Sequence, residues 1–342
     1  MTQLLEMKDK LVRIWGQYET YLLPVVKFVM ALTMFLMINT NIGFMGKISN
    51  AAVALILALV CCLLPVGGTI TVGALVILLD MYALSLEAAA VTFVLFAILY
   101  FVYFRFAPKD GYSIVLTPIA FKFHMPYVLP VADGLLRPVQ SLAGMVAGTV
   151  VFYYIDGVRM SAAALSDSSA QTKGASKLNT LTGQVAGNKE MVMVIVMMVL
   201  AYFITYYVRR MKIDHAWNIA IASGLGFQLV GLLAGYLIMG LSSKIIGLMI
   251  GTVLSAFVAL ALKFFAMDLD YARTERVQFQ DDDYYYYVKA VPKKMVPSKA
   301  KTVKRFGNTT TMGRRVDATA DVEADSEIAR RVVAQELNFD EE

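Results

Sequence analysis

The sequence predicts an all-α fold, a polytopic transmembrane helical bundle of about eight spans that is followed by a mostly disordered cytoplasmic tail. The 342 residues are 58% hydrophobic and 17% charged, against roughly 45–50% and 25% in an ordinary soluble domain. The charged residues are concentrated before residue 14, in short connections and after residue 267. The apolar runs between them are unbroken, which is typical of helical spans and not of the alternating strands of a membrane barrel.

Eight apolar runs are predicted to be spans. They follow a polar N-terminal segment, residues 1–20, and together form a membrane domain over residues 21–267. The predicted spans are 21–38, 51–64, 69–84, 88–106, 142–155, 191–208, 217–239 and 245–267.

Basic clusters predict the orientation of the bundle. With eight spans, the N-terminal cluster, the cluster after the fourth span and the cluster after the sixth span all fall on one side, together with the basic tail. The positive-inside bias places that side, and both termini, in the cytoplasm. The polar segment 156–189 is then an extracytoplasmic loop. The same bias explains the net charge of +5, so no nucleic-acid partner is expected.

Residues 112–137 are apolar but do not fit a simple span. Pro118, Pro126 and Pro130 exclude one continuous helix, because each removes a backbone donor and crowds the preceding turn. A path across the membrane would also reverse every later element. We therefore expect a re-entrant or interfacial segment near residues 112–137, covered by protein or by a water-filled cavity.

Ionisable residues in the apolar regions are the candidate functional groups, because a charge at membrane depth is costly. A candidate polar pathway is formed by Asp80, Lys122, His124, Asp133 and Arg137. Asp80 either binds a cation, proton or substrate within the third span or lies at its outer interface. Lys122 and His124 face either a polar pathway or lipid head groups. Asp133 and Arg137, four residues apart, are expected to pair on one helical face.

Three glycine pairs, each four residues apart, predict close helix packing. They are Gly144 and Gly148, Gly231 and Gly235, and Gly247 and Gly251. The spacing is consistent both with contacts inside one bundle and with a homo-oligomer.

The tail, residues 268–342, has three predicted parts. Aromatic and β-branched residues around an acidic turn predict a hairpin over 271–289. The stretch from Lys289 to Arg315 predicts a disordered basic linker, which either contacts anionic lipid or is only solvated. Residues 321–337 predict a short helix, which either docks a soluble cytoplasmic protein or is a weakly amphipathic end.

The run DDDYYYYVKAVPK, from Asp281 to Lys293, resembles the tails of a family of uncharacterised multi-pass membrane proteins from anaerobic Gram-positive bacteria. The resemblance covers about thirteen residues. It implies a bacterial cytoplasmic membrane and no known activity, so no site residues follow from it.

Two functions are consistent with these features. A transporter or permease-like subunit of unknown substrate is favoured by the broken apolar regions and by Asp80. A non-transporting membrane scaffold, which recruits a soluble protein through its tail, is the alternative. An enzyme is less favoured, because no P-loop, H-E-x-x-H motif or nucleophile elbow is present. The adjacent Cys61 and Cys62 and the two histidines predict neither a metal site nor a cofactor.

Overall fold

The computed structural model describes residues 2–106, 111–166, 181–183, 187–266, 275–281 and 284–290. Within these ranges the chain forms ten α-helices and a two-stranded sheet. The helices are α1 (Thr2–Ile42), α2 (Ala51–Leu63), α3 (Val66–Leu84), α4 (Leu86–Phe106), α5 (Tyr112–Lys122), α6 (Val128–Leu136), α7 (Ser141–Ser166), α8 (Lys189–Val208), α9 (Ala216–Ile238) and α10 (Ile245–Ala266). The strands are β1 (Glu275–Gln280) and β2 (Tyr285–Ala290).

Seven helices are long and apolar enough to cross a membrane, which is compatible with an integral membrane protein. They are α1, α3, α4, α7, α8, α9 and α10, and they correspond to seven of the eight predicted spans. The other predicted span, 51–64, is the 13-residue helix α2, which is about 20 Å long. Helix α2 folds back along α1. The Lys27 Nζ atom of α1 donates a hydrogen bond to the carbonyl of Leu64, the residue after α2, at 3.3 Å.

Local sequence signals set several helix ends. Asn50 and Asn188 precede α2 and α8, and their side-chain oxygens accept hydrogen bonds from the backbone N–H groups of Ala52 and Met191. Such caps satisfy donors that the first helical turn leaves unpaired. Pro65 separates α2 from α3, since proline cannot donate a helical hydrogen bond.

Helix α7 continues to Ser166, so the segment predicted as a loop over 156–189 begins inside a helix. Polar residues after the apolar run had indicated a loop. In the structure these residues pair along the helix surface, as Arg159 does with Asp156 at 3.2 Å. Such a pair gives only minor support to the helix. Val158 and Leu165 stay buried in the apolar core, so one face of α7 still packs after the continuous apolar run has ended.

Residues 112–137 form the hairpin α5–α6. The Ser113 hydroxyl near the start of α5 donates to Asp133 near the end of α6 at 2.8 Å, so the segment enters and leaves at one end of the bundle. This end is called the basal end below, and the end that contains the hairpin tip is called the distal end. Of the nine residues of α6, seven are buried. Residues 112–137 thus form a helical hairpin whose α6 arm is covered by protein.

The tip of the hairpin has a specific turn. The backbone N–H of Met125 donates to the Ala120 carbonyl at 2.8 Å, and that of His124 donates to the Phe121 carbonyl at 3.1 Å. With His124 in the left-handed region at φ 58°, these bonds form a Schellman motif. Pro126 follows directly and disfavours the α conformation at Met125, so α5 ends before α6 begins at Val128.

Two apolar clusters lie on either side of α7. One is built mainly from α6, α8, α9 and α10, and the other from α1 to α4. Helix α7 contributes Tyr153 to the first cluster and Tyr154 to the second. The hairpin approaches its neighbours most closely at glycines, as at Gly134, where an added Cβ atom would lie 3.0 Å from Thr205 of α8.

The glycine pairs mostly face other helices of the same bundle. A Cβ atom on Gly148 would lie 2.7 Å from Thr117 of α5, and one on Gly231 would lie 2.5 Å from the Met197 sulfur of α8. Gly235 likewise faces Met193, Gly251 faces His124 and Tyr127, and Gly144 is buried. Gly247 differs, because it is exposed with open space around it.

The predicted tail hairpin is present. Strands β1 and β2 pair antiparallel, from Glu275 opposite Ala290 to Gln280 opposite Tyr285. The rest of the basic linker and the helix predicted over 321–337 lie outside the described residues.

We expect Gly251→Val to lower the free energy of unfolding by about 1–3 kcal/mol, because the new side chain would overlap the hairpin tip. Gly247→Val, one turn away on the same helix, is the matched control and should change it by less than about 0.5 kcal/mol. Unfolding of the detergent-solubilised protein measures both. Equal effects of the two variants would contradict the packing of α10 against the tip.

Candidate functional site

The basal end of the hairpin holds a compact polar cluster of Ser113, Asp133 and Arg137, called the basal cluster. The Ser113 hydroxyl donates to the Asp133 Oδ2 atom and accepts from an Arg137 NH group, both at 2.8 Å. The Arg137 Nε atom lies 3.6 Å from the Asp133 Oδ1 atom. The guanidinium also lies over the Tyr112 ring, 5.5 Å from its centroid. The cluster ties the start of α5 to the end of α6.

The predicted pairing of Asp133 with Arg137 is confirmed by this geometry. Asp133 is 6% exposed and Ser113 is fully buried. Carboxylates are rarely buried without such partners, since burial of an unpaired charge is costly. Ser113 was missed by the sequence analysis, because a single serine in an apolar run carries no signal of its own.

Lys122 and His124 lie at the tip of the hairpin, at the distal end. Both side chains are exposed. The Lys122 Nζ atom donates to the Asn41 side-chain oxygen of α1 at 3.2 Å, and His124 provides the left-handed residue of the turn. The structure therefore separates these two residues from Asp133 and Arg137 by the length of the hairpin.

Asp80 lies apart from the hairpin, in the last turns of α3. It is 1% exposed, and its Oδ1 atom accepts a hydrogen bond from the Met45 backbone N–H at 3.0 Å. Met45 belongs to the connection between α1 and α2, so this bond holds that connection against α3. The Oδ2 atom is buried and has no hydrogen-bond partner among the described residues.

Two uncharged polar residues, Gln228 of α9 and Ser255 of α10, are buried within the bundle. Both polar atoms of the Gln228 side chain and the Ser255 hydroxyl have no partner in the described part of the chain. One turn before Gln228, Gly224 faces Thr205 of α8 most closely and Val131 of α6 next. One turn before Ser255, Gly251 faces the hairpin tip. Residues four apart share a helix face, so Ser255 lies on the face of α10 that meets the hairpin tip, and Gln228 lies on the face of α9 that meets α8 and α6.

The distal end holds a second polar cluster, called the distal cluster, which consists of Tyr127, Tyr153, Glu190, Tyr236 and Lys244. The Lys244 Nζ atom lies 2.6 Å from both Glu190 carboxylate oxygens. The Tyr153 hydroxyl donates to the same carboxylate at 3.3 Å. Tyr127, beside the hairpin tip, is hydrogen-bonded to Tyr236. The cluster joins α7, α8, α9 and α10 to the tip.

The bundle therefore has an ion pair at the basal end and another at the distal end. Between them lie Gln228 and Ser255, which are uncharged and whose polar atoms have no partner among the described residues. Within the described ranges, no group of three or more His, Cys, Asp and Glu residues could hold a metal ion. Gln228 and Ser255 could have been singled out from the sequence only as polar residues within apolar spans, a weak signal beside five ionisable groups. Comparison of the chain with protein families, curated proteins and solved structures finds no match.

We expect Arg137→Met to lower the free energy of unfolding by about 1–3 kcal/mol, because it leaves the buried Asp133 without its cation. Arg159→Met is the matched control, since the Asp156–Arg159 pair is half exposed and such pairs contribute little. Unfolding of the detergent-solubilised protein compares the two variants. A loss no larger for Arg137→Met than for the control would show that the basal cluster does not hold the hairpin.

Proposed function

We propose that the chain is a membrane transporter or permease-like subunit whose substrate site lies where α6 faces α9 and α10. The observation that carries this proposal is a broken backbone segment in the middle of the bundle, beside the unpartnered side chains of Gln228 and Ser255. Discontinuous helices with polar groups beside them are the usual construction of transporter sites.

The unpartnered polar groups need a physical explanation. A buried donor or acceptor without a partner costs about 1–3 kcal/mol, and native proteins hold few of them. Gln228 alone leaves an amide donor and an amide acceptor unpaired. The cost is explained if water or a polar substrate binds these groups in another state of the transport cycle.

The ion pairs at the two ends fit the same proposal. Asp133 with Arg137 closes the basal end, and Glu190 with Lys244 closes the distal end. Glu190 and Lys244 join two separate elements, whereas Asp133 and Arg137 lie at the end of α6 and are linked to α5 through Ser113. In the proposal, opening one of these contacts admits water from one side only. Alternating access needs such a pair of separable contacts. Under this proposal, both contacts are formed in one state of the transport cycle and only one is open in each of the others.

The orientation and the membrane follow from charge. Arg209 and Arg210 follow α8 at the basal end, and the Arg210 guanidinium lies 4.0 Å from the Tyr206 ring centroid. The positive-inside bias favours the cytoplasm for this end. Helix α2 then serves as a short eighth passage, with both termini cytoplasmic. The tail resemblance favours a bacterial cytoplasmic membrane.

A second candidate function is the scaffold, and the β1–β2 hairpin favours it. Tyr284 and Tyr285 are each 67% exposed and Tyr287 is 79% exposed. Aromatic side chains in such exposed positions are common in protein interfaces. In this alternative the tail recruits a soluble cytoplasmic protein, and the membrane domain is an anchor whose basic linker contacts anionic lipid.

We expect a cysteine at position 255 to react with a membrane-impermeant methanethiosulfonate reagent, because the proposed site opens to water during transport. The variant is Ser255→Cys in a chain with Cys61 and Cys62 replaced by serine. Thr149→Cys is the matched control: Thr149 is also buried, but its hydroxyl donates to the Met145 carbonyl at 2.9 Å.

Labelling at position 255 with a silent position 149 supports the transporter. Silence at both positions, in membranes and under every substrate condition tried, would contradict it and favour the scaffold. Equal labelling at both positions would also contradict it, because it would indicate general opening of the bundle and not a site.

A further inference from the structure

An apolar cavity lies on the other side of α5, between α1, α3, α4, α5 and α7. It has about 860 Å³ of empty space, counting the part that is open to the surroundings. Its walls are side chains such as Met34, Phe96 and Val151, and only Asn41 and two tyrosines bring polar side-chain atoms to them. The cavity is separate from the polar groups that the proposed function uses.

The cavity is elongated along the helices. On α7 its lining extends from Ala147 to Ile155, which is about 12 Å at 1.5 Å per residue. On α4 it extends from Phe96 to Tyr103. An elongated apolar space fits a hydrocarbon chain, and water would gain little there, because it needs two to four polar partners.

Two cations lie at the distal end of this cavity. Lys122 follows the lining residue Ile119 by one turn of α5, and Arg159 follows the lining residue Ile155 by one turn of α7. Both side chains donate to the side-chain oxygen of Asn41, at 3.2 Å and 3.4 Å. Asn41 itself lines the cavity. The two positive groups therefore converge on the mouth of an apolar space.

Two carboxylates are close to this mouth. Asp156 lies 3.2 Å from Arg159 and partly neutralises it. Asp80 follows the lining residue Ile77 by one turn of α3, but its carboxylate bonds to the Met45 backbone. Among the described residues, the ion pairs do not include Lys122. The two carboxylates thus balance the two cations in number, but Lys122 has neither carboxylate as an ion-pair partner, and an anion at the mouth would compete with Asp156 for Arg159.

We propose that this cavity binds a hydrocarbon chain of an anionic membrane lipid, with the lipid phosphate held by Lys122 and Arg159. The hydrocarbon chain of the lipid would give the apolar side chains that line the cavity the packing contacts that they otherwise lack. The exposed cations supply the charge complementarity that the phosphate needs. This lipid site does not depend on the transporter proposal, since neither Gln228 nor Ser255 takes part in it.

The test of the head-group contact compares two lipids with identical acyl chains. Phosphatidylglycerol and phosphatidylcholine are titrated into the detergent-solubilised full-length protein, and native mass spectrometry counts the bound lipids. We expect phosphatidylglycerol to be preferred about tenfold, because both lipids carry the phosphate but the choline cation of phosphatidylcholine is repelled by Lys122 and Arg159. The double variant Lys122→Gln, Arg159→Gln should remove this preference, whereas Lys47→Gln, an exposed distal-end control, should keep it.

A variant in the opposite direction sharpens the test. Asp156→Asn removes the carboxylate that competes for Arg159, so it should raise the preference for phosphatidylglycerol about twofold or more. Equal binding of the two lipids by the parent protein would overturn the proposal. A preference that survives the double variant would overturn it as well. Lys122, Arg159 and Lys47 are exposed and Asp156 is partly exposed, so folding is not expected to limit these variants.

The chain contact is tested separately. Ala74 lines the cavity, and Ala74→Phe should reduce the binding of both lipids several-fold by filling it. Ala90→Phe, on the exposed face of α4, is the matched control and should leave binding unchanged. Glycerol phosphate, a head group without a chain, should not displace the bound lipid. Displacement at equal concentration, or normal lipid binding by Ala74→Phe, would contradict a chain in the cavity.

Discussion

The hairpin α5–α6 must satisfy its backbone inside the protein, and the packing of the surrounding helices follows from this requirement. In a membrane there is no water to pair the N–H and carbonyl groups that prolines and the turn leave free, and each unpaired group is costly. Cover therefore comes from α7, α8, α9 and α10. The helices can approach one another closely here because glycines lie at the contacts. A side chain would collide with the hairpin or with a helix packed against it at Gly134, Gly148, Gly224 and Gly251.

The helices around the hairpin give its two arms, α5 and α6, different environments. The α6 side faces α9 and α10 and contains unpaired polar groups between two ion-paired ends. The α5 side faces the first four helices and contains an apolar cavity with cations at its mouth. The first environment suits water or a polar substrate, whereas the second suits a lipid chain. Helix α7 takes part in both sides, since it separates the two apolar clusters.

Much of this architecture could be predicted from the sequence, because long apolar runs and prolines act locally. Pro118, Pro126 and Pro130 indicated the broken segment, and the spacing of Asp133 and Arg137 indicated their pairing. The groups that α9 and α10 bring to the hairpin could not be predicted, since they depend on which helix faces meet in space. The extension of α7 to Ser166 could not be predicted for a related reason: Val158 and Leu165 pack into the core after the continuous apolar run has ended.

The central claim, that residues 112–137 enter and leave the bundle at one end, is tested most directly by sided labelling of single cysteines. Phe123 lies at the hairpin tip, next to Lys122, and Val139 lies just after the hairpin; both are exposed. We expect a cysteine at position 123 to react from the same side as one at position 47. A cysteine at position 139 should react from the opposite side, together with one at position 211. Labelling of positions 123 and 139 from the same side would contradict a re-entrant hairpin.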